Sequence, residues 1–151
     1  MEAQSLVPLA LMFLRLAAMP AAAQSAGAGA GQKICGWFTP AEIGGYLGVE
    51  VERGHVGGPL DSLCQWVGKA DPGQTFLQIQ IASRRSWAVP DLAKGFARLR
   101  GIGEDAYIAE EFHGWVAGAK TATRVVVVKG VGGTITRDKT VELLRAAAGH
   151  Q

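Results

Sequence analysis

The sequence predicts an α+β domain: an antiparallel sheet of about five to six strands built from hairpins, with an N-terminal helix, a short middle helix and a C-terminal helix packed on it. Three observations carry this. A helix start stands at 38–48, strand-like alternation recurs in hairpin pairs, and an amphipathic run occupies 136–149. Strands that follow one another through tight turns pair antiparallel, whereas a parallel sheet needs a crossover helix between strands.

In "FTPAEIGGYLG" (38–48), Thr39 is the cap, Pro40 takes the first helical position, and Glu42 stands three after Thr39, as in a capping box. Ile43, Tyr46 and Leu47 share a face, and Gly48 ends the helix. "VEVERGHV" (49–56) alternates like a strand, and "SLCQWVGK" (62–69) alternates again, with Cys64 and Trp66 on one side. "TFLQIQIAS" (75–83) puts Leu77, Ile79 and Ile81 on one face and Phe76, Gln78 and Gln80 on the other, the pattern of a sheet with one buried face. Leu92, Phe96 and Leu99 fall at helical spacing in 89–99. "AYIAE" is a strand, and "GWVAGAK" and "TRVVVVKG" form a second hairpin. The valine run Val125–Val128 suits a central strand, flanked by Arg124 and Lys129. In the terminal helix, Val141, Leu144 and Ala148 share a face.

The 151 residues are enough for one domain. Residues 1–23 read as a secretory signal with a small-residue site in "MPAAAQ", cleaved before Gln24; residues 24–33 as a flexible Gly/Ala/Ser linker; and 34–149 as the single domain. Glu2 and Arg15 depart from the usual signal pattern. Cleavage removes one acid and one base, so the net charge stays at +2, too weak to argue for nucleic acid. Beyond the N-terminus no segment reaches the roughly 18–20 apolar residues of a membrane span. The location these features predict is secreted or periplasmic.

Cys35 and Cys64 lie too far apart in sequence for a Cys-x-x-Cys redox motif, and His55, His113 and His150 show no ligand-like spacing with them. In a secreted chain, two cysteines most simply form one disulfide, with free thiols and a metal site as the alternatives. "GIGEDA" (101–106) formally matches a dinucleotide fingerprint. It reads as a glycine turn, because a strand rather than a helix follows it. No catalytic residue, cofactor or metal site is predicted. Glu104, Asp105, Glu110 and Glu111, with His113 nearby, supply the carboxylates that a small hydrolase would need, but spacing alone does not make them converge.

Arg84, Arg85, Lys94, Arg98 and Arg100, with Trp87 among them and Asp91 the only acid in 84–100, form the candidate interaction surface. Its partner would be an envelope protein or an anionic envelope component. The plainer alternative is a solvated face turned toward the acids of 104–111.

Cys35, "FTPAEIGGYLG", "CQW" and "LRGIGEDAYI" occur in an order and spacing that resemble a family of small secreted proteins and lipoproteins of unknown function common in mycobacteria and other actinobacteria. The resemblance covers about 35–145. It rests on Cys35, Thr39, Glu42, Leu47, Gly48, Cys64, Trp66, Gly101, Gly103, Asp105, Ala106 and Tyr107. It implies a PsbP-like α+β domain and an envelope location, and no activity. A lipoprotein's small-residue box is absent before Cys35, so lipid anchoring is not implied. The function expected is a non-enzymatic binding or adaptor domain. The alternatives are a small-ligand carrier with a sheet–helix pocket lined by Trp37, Trp66 and Trp115, and, behind it, the small hydrolase.

Overall fold

Seven strands form a single antiparallel sheet, and the computed structural model describes it across residues 29–150. The strands are β1 (His55–Gly57), β2 (Leu63–Val67), β3 (Phe76–Ala82), β4 (Ala97–Leu99), β5 (Asp105–Glu111), β6 (Gly114–Lys120) and β7 (Val125–Val131). Their order is β1-β2-β3-β7-β6-β5-β4, so the valine run lies on the central strand. Three helices complete the fold: α1 (Ala30–Cys35), α2 (Pro40–Leu47) and α3 (Arg137–Gly149). The segment 1–23 read as a signal and the first half of the expected linker lie outside the described residues.

The register sorts the side chains. Cys64 pairs with Ile79, Ile79 with Val128, Val128 with Ala117 and Ala117 with Ile108, so all five share one face. All five are fully buried, in the same core cluster as Leu143, Leu144 and Ala147 of α3 and Ile43 and Leu47 of α2. The helices therefore cover one face and the core lies between. α2 begins as its sequence dictates. The Thr39 hydroxyl accepts from the Glu42 backbone N–H, and the Glu42 carboxylate accepts from the Thr39 N–H at 2.7 Å. On α3 the inward stripe is Thr140, Leu143, Leu144 and Ala147, with Val141 and Ala148 only half-buried, a rotation from the expected face.

Cys35 and Cys64 form a disulfide that ties α1 to β2. Trp66, on the same face as Cys64, is fully buried beside it. Gly54 makes the room: a side chain there would begin 2.6 Å from both the Cys64 Sγ and the Trp66 Nε1.

Four expectations need correcting. The middle helix at 89–99 does not form. Arg84–Ser86 make a 3-10 turn, two successive turns follow through Pro90–Ala93 and Ala93–Phe96, and 97–99 become edge strand β4. Gly95 takes a left-handed φ of 63° within the second turn, and Leu92 is 97% exposed rather than packed. The helical spacing of Leu92, Phe96 and Leu99 was coincidental, because Leu99 belongs to a strand. The sheet has seven strands, since β1 and β4 are three-residue edges. Within 49–56 only His55 and Val56 join a strand, and Val51 makes an isolated bridge to Gly68. The linker's second half is also ordered: Ala30–Cys35 is helical, and Gly31 packs against the carbonyls of Asp61 and Leu63.

Candidate functional site

With helices on one face, the chain from Arg84 to Phe96 crosses the other as a strap. It is pinned through Arg84, Trp87 and Lys94, with Arg98 just beyond it on β4. Arg84 reaches Glu104 with both guanidinium nitrogens, at 2.9 and 2.6 Å, and donates to the Ala122 carbonyl at 2.6 Å. Three loops are tied by that one side chain. The Trp87 indole N–H donates to Asp105 at 3.1 Å, and its ring lies 5.5 Å from that of Tyr107. Lys94 pairs with Glu110 at 2.6 Å, and the Lys94 carbonyl accepts from the Glu110 N–H. Arg98 pairs with Asp105 at 2.5 Å and stands over the Phe96 ring. Arg85 and Arg100 are exposed and enter no ion pair among the described residues.

These pairings set the electrostatics. The Arg98 guanidinium, aided by the Trp87 N–H, holds the Asp105 carboxyl below its ordinary range against partial desolvation. Arg84 does the same for Glu104, and the hydrogen bond to Glu110 raises Lys94. Burial beneath the strap raises the Tyr107 phenol, with the Glu111 charge adding to it.

The acids proposed for hydrolysis are thus each held by a different base: Glu104 by Arg84, Asp105 by Arg98, Glu110 by Lys94 and Glu111 by Lys129. Among the described residues no cluster of three His, Cys, Asp or Glu is arranged to hold a metal ion. His113 sits at the β5–β6 tip with a left-handed φ of 56°, its ring against the 81% exposed Phe112. That tip borders a hollow of about 600 Å³ whose wall includes Phe76, Lys129 and Asp71. The carrier's three tryptophans disperse. Trp66 is sealed in the core, Trp115 is half-buried on β6, and Trp37 stacks on His150 at 5.0 Å and lies under Arg124.

"GIGEDA" is a turn. Gly101 and Gly103 take left-handed φ of 75° and 59°, which glycine adopts without strain, and the buried Ile102 plugs the core between them. Strand β5 follows at Asp105, leaving no helix N-terminus for a pyrophosphate.

Lys120 escaped the sequence reading, and Arg124 was read only as a flank of the valine run. They are distant in sequence from 84–100, yet the β6–β7 turn lies at the same end of the sheet as Arg84 and Glu104. Working out strand direction from the hairpin would have placed them there. No family model matches the chain, and neither the curated proteins nor the solved structures contain a match to it. The described residues include no helix long and apolar enough to cross a membrane.

Proposed function

We propose that this is a non-enzymatic binding or adaptor domain of an oxidising, extracytoplasmic compartment, secreted or periplasmic, that engages an anionic envelope component. The observation that carries the reading is the division of labour among the basic residues. Arg84 and Lys94 hold the strap down and Arg98 ties β4 to β5, while Arg85 and Arg100 face solvent and enter no ion pair among the described residues. Exposed cations without partners add nothing to a fold, yet they attract anions over about 8 Å at physiological salt. The disulfide supports the compartment, because such bonds persist where glutathione and thioredoxin do not reduce them. The apolar N-terminal sequence and the resemblance to small secreted proteins point the same way.

Cell fractionation followed by intact mass tests both halves. The reading expects an oxidised species beginning at Gln24 and retained on washed envelopes in a salt-sensitive manner. A full-length reduced species in the cytosol, or an exported one with no affinity for any envelope fraction, overturns it.

A further inference from the structure

An antiparallel sheet gathers its loops at two ends, and the ends of this one differ in charge. At one end lie 58–62, 82–86, 98–105 and 120–125, which carry six bases and three acids. At the other lie 49–55, 67–76, 90–97, 110–115 and 129–136, which carry four bases and six acids. The polarity runs along the strands and is invisible in a net charge of +2.

Three further features coincide at the basic end. Arg85, Arg100 and Lys120 enter no ion pair there among the described residues. Leu60 stands 87% exposed, with a left-handed φ of 56° that a branched side chain seldom adopts. The chain also enters the domain at this end, since Gly31 lies against the carbonyls of Asp61 and Leu63.

We propose that the basic end of the sheet docks on an anionic lipid surface, with Arg85, Arg100 and Lys120 against the headgroups and Leu60 at the acyl boundary. Lipid fits better than an acidic protein or polysaccharide because unpaired cations and a protruding aliphatic side chain share one end. Basic residues beside an anionic leaflet and an apolar group entering it are additive attractions. This deepens the binding reading above and rests on it.

The test is flotation of the mature chain, residues 24–151, with vesicles of pure phosphatidylcholine and with vesicles containing 30% phosphatidylglycerol, at low and high salt. The basic end is read from the difference between the two vesicle types. Expected is tighter binding to the anionic vesicles that fades with salt. Arg85→Glu with Arg100→Glu should weaken it by at least roughly tenfold, at about fivefold per basic residue near such a surface. Arg53→Glu with Lys69→Glu, an equal charge change at the opposite end, should leave it nearly intact. Leu60→Ser should weaken binding with little change in its salt dependence. Amide exchange should slow in 58–62, 82–86 and 98–104 on vesicle addition. Equal loss from the two double variants would reduce the effect to net charge and overturn the proposal. So would equal binding to both vesicle types, or retention on soluble polyglutamate with no preference for anionic vesicles. Washed-envelope binding that persists through such a failure would leave the broader reading standing.

Discussion

The Tyr107 ring fills the space over Gly118, its cross-strand partner: a Cβ built at Gly118 would meet the Tyr107 Cε1 at 2.6 Å. An aromatic side chain closing over a strand glycine pins the register of β5 and β6 and restores the packing that the glycine lacks. On the other side of that ring come Trp87 and Phe96 of the strap. Gly118 thus sits at the base of a stack that ends at the candidate interaction surface. Gly118→Val should destabilise the domain by roughly 1–3 kcal/mol through overpacking, measured by urea unfolding. It should also shift the Trp87 signal. Unchanged stability would mean that Tyr107 has another rotamer open to it.

Cys64 and Trp66 both crowd Gly54, so disulfide and indole pack as one unit. Closing a loop of this length contributes about 3.5 kcal/mol in the chain-entropy view. The double variant Cys35→Ser with Cys64→Ser should therefore lose roughly 2–5 kcal/mol, and non-reducing peptide mapping of the parent should join Cys35 to Cys64. Gly54→Ala should disturb the same unit without touching a cysteine. Free thiols in the parent protein would undo the argument.

Acid should loosen the strap before the sheet. Arg98 and the Trp87 N–H depress Asp105 from its ordinary 3.8, and Arg84 depresses Glu104 from 4.5. A carboxyl whose folded value is depressed contributes stability above its unfolded value and loses it as pH falls through the folded one. The window therefore opens near the ordinary values and extends below them. The Trp87 indole proton reports its bond to Asp105, so its resonance should titrate below 3.8 while the far-ultraviolet circular dichroism holds. A midpoint at or above the ordinary aspartate value would show that the two side chains are not bonded in solution.

Elements that obey local rules were legible in the sequence. Thr39 and Glu42 form their capping box, Leu77 and Ile79 face inward, and Val125–Val128 occupies the central strand. Each depends on neighbours within a few residues or on simple alternation. What failed to show was set at long range. The strap has helical spacing but is held as a series of turns by Glu104, Asp105 and Glu110, and nothing local forbids the helix except Gly95 and the turn after Pro90. The candidate site was legible as a list of bases. Which of them are engaged, and that Lys120 and Arg124 join them, depended on register across four strands.

The two neighbouring arginines offer the sharpest contrast. Arg84 and Arg85 are adjacent in the 3-10 turn and identical in chemistry, so composition cannot separate them. Geometry does. Arg84 makes a two-pronged contact with Glu104 and a third with the Ala122 carbonyl, bridging the turn after β3 to the β4–β5 and β6–β7 loops. A bidentate arginine–carboxylate pair is the arrangement that outperforms an ordinary surface ion pair, and lysine cannot reproduce the fork. Arg85 contributes only its backbone N–H, donated to the Ser83 hydroxyl, and its side chain is exposed. Arg84→Lys should therefore lower Tm and speed amide exchange in 100–104 and 121–124. Arg85→Lys should change neither, and Arg85→Glu should leave the fold intact while weakening attachment to envelopes. Equal thermal effects at the two positions would place Arg84 among the solvated cations. The strap would then need another anchor.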